Sequence, residues 1–172
     1  MVDNKYLIAN KKERIRVRVS LIVFVLIAAY TVYLITQNNV SNFRSLRHLG
    51  GLAGQIAAFG FAFAIGMYVL RRIAKRISSK EIKQKILFVA KILREWHVPI
   101  AVVAFSVILL HAYIMLSRGL VFNIRYISGI VALVILAVQA ISGIFRYKRI
   151  GIKFHMVTGI LFTVSMIIHL LS

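Results

Sequence analysis

The chain has no cysteine, one proline and only four carboxylate side chains in 172 residues. Each shortage removes a class of chemistry. Without cysteine there is no disulfide and no thiolate for an iron–sulfur cluster or zinc site, so a metal would have to be held by histidine or carboxylate. The four carboxylates, Asp3, Glu13, Glu81 and Glu95, fall outside the long apolar runs, which leaves histidine. The scarcity of acid also produces a net charge of +19, a value that in a soluble protein points to nucleic acid. Here the lysines and arginines sit in the gaps between apolar runs, where membrane topology accounts for them, so no nucleic-acid partner is expected. No glycine-rich strand-to-helix turn for a dinucleotide and no low-complexity tract is visible.

What remains is apolar. Hydrophobic residues make up 60% of the chain and mean hydropathy is +0.86, well above an ordinary soluble domain. The pattern predicts an all-α, polytopic membrane helix bundle of five transmembrane helices. Residues 1–20 form a basic N-terminus with Lys5, Lys11, Lys12, Arg14, Arg16 and Arg18, leading into a first span at 21–36. A basic start before an apolar run resembles a signal peptide. TQNNVSNF follows instead of a small-residue cleavage pattern, however, and the run is long for an h-region, so an uncleaved span is expected. The second span, 50–70, carries Gly50, Gly51, Gly54, Gly60 and Gly66, smooth flanks for close helix packing. Nine basic residues then interleave with Ile and Leu over residues 71–95. This segment reads as a cytoplasmic helix lying on headgroups or extending the third span, in preference to a dedicated docking surface. The third span, 96–116, has Pro99 in its first turn. The fourth runs over 126–145 and the fifth over 154–171, so residues 21–172 form a single transmembrane domain. The basic residues favour alternate loops, which places the N-terminus in the cytoplasm and the C-terminus outside.

The third and fifth spans each carry two histidines fourteen residues apart, His97 and His111, then His155 and His169. Fourteen residues make almost four helical turns, so each pair shares one face with its members about 21 Å apart along the axis. Both spans run from cytoplasm to exterior. His97 and His155 therefore share an inner depth, and His111 and His169 an outer one. A lone histidine in an apolar helix is most often a hydrogen-bonded core residue. Four in two matched pairs are more specific, because imidazoles facing each other supply both axial ligands of a haem iron. Two layers predict two bis-histidine b-type haems per chain, with all four histidines as iron ligands.

Four, seven and eleven residues beyond the first histidine of each span lie Ala101, Ala104 and Ile108, and Gly159, Phe162 and Met166. Ala101 and Gly159 are small where a macrocycle would lie against backbone, and Phe162, with Phe105, falls midway between layers. Ordinary core packing explains the aromatics equally well. Propionates need cationic partners, for which Arg94, Arg146 and Lys153 are inner candidates and Arg47, Arg118 and Arg125 outer ones. His48 has no partner at a matching spacing and reads as an interfacial residue near a propionate or exterior acceptor. A proton or ion path would call for intramembrane carboxylates or broken helices, and a zinc or copper site for histidines closer than two membrane depths.

From Arg47 to Leu171 the chain resembles the ferric reductase-like transmembrane domain, the haem-bearing core of ferric reductases, NADPH oxidases and the membrane subunit of the periplasmic methionine sulfoxide reductase system. The resemblance lies in LGGLAGQ, WHVPIAVVAFSVILLH, SGIVALVILAVQAISG and RYKRIGIKFH with a second histidine fourteen later. It implies haem ligation by His97 with His155 and by His111 with His169. It also implies electron flow from a cytoplasmic flavin or reduced carrier to an acceptor outside, as the electron-transfer subunit or core of an oxidoreductase in a prokaryotic plasma (inner) membrane. Many relatives continue into a flavin and nicotinamide domain. This chain stops three residues after His169, so a separate cytoplasmic flavoprotein, a bound FMN or FAD, or a membrane quinol is the expected donor. A metal ion, oxygen or a protein is the expected exterior acceptor. Some relatives carry a flavin in place of one haem. The competing readings are a quinol-oxidising cytochrome b that anchors a dehydrogenase or hydrogenase, and a non-redox membrane scaffold or transporter.

Overall fold

The computed structural model describes residues 10–37, 43–117, 119, 122–146 and 151–172, and the regular structure among them is entirely helical. The five helices are α1 (Lys11–Gln37), α2 (Phe43–Ala74), α3 (Lys80–Leu116), α4 (Ile124–Arg146) and α5 (Ile152–Leu171). Each is long and apolar enough to cross a membrane. Lys5, Arg118, Lys148 and Arg149 lie outside the described residues, so the expectation for Arg118 at a propionate has no counterpart there.

The helices begin earlier than the apolar windows do. Lysine, arginine and glutamate are good helix formers, so charge ends a hydropathy window without ending a helix. α1 starts at Lys11 on an Asn10 cap, whose Oδ1 accepts from the backbone N–H of Lys12 at 3.0 Å and of Glu13 at 3.5 Å. Asn123 caps α4 in the same way, through the Tyr126 N–H at 2.9 Å. α5 begins after Gly151, whose φ of 67° lies in the left-handed region open to glycine. The basic segment resolves into the end of α2, a break at residues 75–79, and the first part of a 37-residue α3, about 55 Å long. Of the two readings of that segment, extension of the third span is the one the helix adopts.

Pro99 accordingly sits deep inside α3 and not in its first turn, a correction that follows from the earlier start. Proline lacks the N–H that would bond the carbonyl four residues back, that of Glu95. Arg16 of α1 fills the gap. Its Nη1 donates to the Glu95 carbonyl at 3.2 Å, its Nη2 pairs with Glu95 Oε2 at 3.2 Å, and its guanidinium lies 5.1 Å from the Trp96 ring centre.

The chain forms two compact units, Asn10–Arg118 and Gly119–Ser172. In the first, α3 packs against both α1 and α2. The α2–α3 seam is built from Ala53, Ala57, Phe61 and Ala74 against Ala90, Ala104, Leu110 and Ile114, mostly small residues that bring backbones close. A Cβ on Gly60 would meet the Ala104 Cβ at 2.9 Å. Along α1, Phe24 stacks on Phe105, centroids 6.4 Å apart and planes 10° from parallel. In the second unit α4 packs on α5, burying Ser128, Ala132, Leu136 and Ser142 against Thr158, Phe162 and Ser165. Each buried serine of α4 back-bonds to its own helix, Ser128 to the Arg125 carbonyl at 3.0 Å and Ser142 to the Gln139 carbonyl at 2.8 Å.

Candidate functional site

All four span histidines lie on the face their helix turns toward its antiparallel neighbour. In the first unit, His111 Nδ1 is 2.7 Å from the Gly50 carbonyl and His97 Nδ1 is 3.2 Å from the Ala64 carbonyl, both on α2. In the second, His169 Nδ1 is 3.0 Å from the Arg125 carbonyl on α4. A carbonyl oxygen only accepts, so each of these rings carries a proton on Nδ1, and in the neutral imidazole that leaves the electron pair on Nε2. His155 reaches the same state through a hydroxyl. Its Nδ1 lies 2.9 Å from Ser142 Oγ, whose single proton is committed to the Gln139 carbonyl, so the serine accepts from the ring. Ser128 stands in the equivalent place beside His169 Nδ1 at 3.3 Å.

The fourteen-residue interval therefore belongs to both partners in each hairpin. As the histidine advances from 97 to 111, its carbonyl anchor retreats from Ala64 to Gly50; as it advances from 155 to 169, Gln139 gives way to Arg125 and Ser142 to Ser128. Glycines follow the same rule. A Cβ at Gly54 would meet the Cε1 and Nδ1 of His111 at 2.9 Å, one at Gly129 would meet the Cε1 of His169 at 2.9 Å, and one at Gly143 the Cε1 of His155 at 3.4 Å. Each of these glycines lies one helical turn beyond the carbonyl of its layer, 50 and 54, 125 and 129, 139 and 143. The His97 layer departs, with Tyr68 where the others have glycine.

Composition alone had assigned the α2 glycines to helix packing, and the paired Ser–Gly of α4 was not singled out. Its signal was present, since Ser128-Gly129 recurs as Ser142-Gly143 after fourteen residues. Gln139 was missed as well. Its Nε2 lies 3.3 Å from His155 Nε2, while its Oε1 accepts from Thr158 Oγ1.

The remaining expected residues have these places. Ala101, Ile108 and Met166 are half-buried, Ala104 packs against Gly60, and Phe162 is buried in the α4–α5 unit. Gly159 turns its bare side to the Gln139 amide, where a Cβ would come within 3.0 Å of Nε2. Phe105 has its stacking partner in Phe24 of α1. Arg47, His48, Arg94, Arg125, Arg146 and Lys153 are exposed, and the Arg125 backbone, rather than its guanidinium, touches a histidine. Among the described residues no three or more His, Cys, Asp or Glu side chains gather into a metal-holding cluster.

The chemistry of this set is that of neutral imidazoles held in one tautomer. A carbonyl or hydroxyl accepting from Nδ1 orients the ring and raises the basicity of Nε2, the arrangement that suits a metal-ligating histidine. His97, His111 and His169 fit an axial ligand on this ground. At His155 the Gln139 amide occupies the place beside Nε2, so this ring fits only where the amide has left it.

Among the described residues these features define an all-α architecture of five helices able to cross a membrane, with two helix hairpins that each present a pair of anchored imidazoles. Compared with known proteins, the chain matches no family model, and no curated protein or solved structure is significantly similar to it.

Proposed function

We propose that the chain is a multi-pass b-type di-haem cytochrome of the ferric reductase-like kind that carries electrons across a prokaryotic plasma membrane. The observation that carries this reading is the repeated anchoring of four imidazoles through Nδ1 at one fourteen-residue interval on both strands of each hairpin. Hydrogen-bonded packing accounts for the common tautomer but not for the matched intervals. Haem ligation calls for both, and it needs two imidazoles per iron rather than a cluster of three. The proposed axial sets are His97 with His155 and His111 with His169. Haem held by these residues would supply a one-electron carrier.

The chain's own residues do the rest. Gly50, Ala64 and Arg125 lend carbonyls and Ser142 a hydroxyl to hold the rings, and the glycines at 54, 129 and 143 let them approach. The apolar helix surfaces exclude water, which lowers the local dielectric around the rings. Exposed Arg94 in the first unit and Arg125, Arg146 and Lys153 in the second offer cations to propionates. The donor is proposed to be a cytoplasmic flavoprotein, a flavin or a quinol, and the acceptor an exterior metal ion, oxygen or protein. Protein purified from haem-replete cells should show a reduced-minus-oxidised b-type spectrum and about two haems per chain by pyridine haemochrome, two layers each taking one. His111→Ala and His169→Ala should each remove the same haem and leave the other. A colourless preparation, or all four histidines tolerating alanine with spectra unchanged, overturns the reading.

A further inference from the structure

Of the α4–α5 residues set around the two imidazoles, those that keep their chemistry from one layer to the other and the one that does not can be read from the sequence. Moving fourteen residues along each helix carries Ser142 to Ser128, Gly143 to Gly129, Thr158 to Ser172 and His155 to His169, so that hydroxyl, glycine or imidazole is kept each time. The same move carries Gln139 to Arg125, whose side chain is exposed.

The Gln139 amide is placed to act on the ring itself. Thr158 Oγ1 reaches three acceptors, the carbonyls of Phe154 at 3.0 Å and His155 at 3.2 Å and Gln139 Oε1; the last is the nearest and takes its proton, which fixes the amide orientation and turns the N–H groups toward His155. Because His155 Nδ1 gives its proton to Ser142, Nε2 holds the electron pair, and the Gln139 Nε2 at 3.3 Å donates to that pair. Gly159 is what admits the amide, since a Cβ there would stand 3.0 Å from Gln139 Nε2. The electron pair engaged by the amide is the one an axial ligand gives to iron, and the two uses exclude each other.

We infer that Gln139 is a latch on His155, a positioning residue whose amide holds the inner imidazole's electron pair and is displaced when haem is taken up. The inference rests on the di-haem reading. It makes the inner layer's loading subject to a competitor inside the protein, set by the Gln139–Thr158 pair. Releasing one hydrogen bond of this kind should tighten haem binding at the inner site about two- to tenfold.

The test uses the full chain in detergent or nanodiscs, with one layer disabled so that each titration reports a single site. In the His169→Ala background, haemin titration followed at the Soret band should show tighter binding after Gln139→Leu. Thr158→Val, which frees the amide from its orienting partner, should shift affinity the same way by less. In the His155→Ala background the latch has no target, so Gln139→Leu should leave the remaining site's affinity unmoved. Circular dichroism on each variant reports retention of helix, and Thr158→Val carries the test if Gln139→Leu does not fold. Equal or weaker haem binding in both folded variants overturns the latch while the di-haem reading stands. Wild-type protein that takes up no haem at either layer overturns both.

Discussion

The α2–α3 and α4–α5 hairpins hold their imidazoles by different means. α2 offers backbone carbonyls, at Gly50 and Ala64, and α4 presents a serine in each layer. What sets how near the ring comes to the neighbouring helix is whether it bonds the carbonyl itself, as His111 and His169 do, or a hydroxyl in its place, as His155 does. A helical carbonyl already serves its own helix and accepts a second bond on its remaining lone pair, so a ring using it must press close to the backbone. Where the ring bonds a carbonyl at 2.7 or 3.0 Å, a Cβ on the underlying glycine would lie 2.9 Å from the imidazole. Where Ser142 interposes a hydroxyl, the figure is 3.4 Å. The His97 layer, with Tyr68 in place of glycine, has the longest of the carbonyl bonds at 3.2 Å. Close access to a carbonyl and a bare glycine one turn away thus go together, and a hydroxyl relaxes the demand.

That relation can be broken by alanine at each glycine. Gly54→Ala and Gly129→Ala place a methyl where the ring now lies, so the bond to the carbonyl or the packing must yield, at about 1–3 kcal/mol and with loss of the haem in that layer. Thermal denaturation and pyridine haemochrome measure the two effects. Gly143→Ala, at ordinary contact distance, should cost less than about 1 kcal/mol and keep its haem, because little has to move. Equal losses at positions 143 and 129 would show that the hydroxyl does not relax the packing.

The α1–α3 contact sharpens the comparison from outside the histidine layers. Arg16→Ala should cost about 1 kcal/mol, since it removes both the cationic partner of the Glu95 carboxylate and the donor to the carbonyl left open by Pro99. Pro99→Ala returns an N–H to that carbonyl, and in this background the cost of Arg16→Ala should fall by about 0.5 kcal/mol in a double-mutant cycle. Strict additivity would remove the link between the proline and the arginine. The smallest effect is expected at Lys85, paired with Glu81 across one exposed turn at 2.9 Å. Lys85→Gln should change the melting free energy by about 0.3 kcal/mol, and less in high salt.

The number of helices and the centres of the spans were open to reading because hydropathy is a property of side chains. The true starts of α1 and α3 were not, since Lys11 to Arg18 and Lys80 to Arg94 are polar to a hydropathy window yet favourable to the backbone helix. Misjudging where α3 begins also misplaced Pro99 within it. The histidine interval was visible for the same reason as the spans. The anchors at Gly50, Ala64 and Arg125 were not, because the atoms involved are backbone oxygens that every residue carries. Gln139 escaped notice as one uncharged amide in an apolar helix. Its importance appears only when the helix register brings it beside His155.

A main-chain acceptor has no codon of its own. Replacing the side chain at 64 leaves the oxygen in place, so a saturation survey of function would not register the acceptor there, while the residues that merely make room, at 54 and 129, would register as intolerant. A carbonyl that grips an imidazole is in this way hidden from genetics, and at 50 and 125 it is betrayed by the vacancy one turn along.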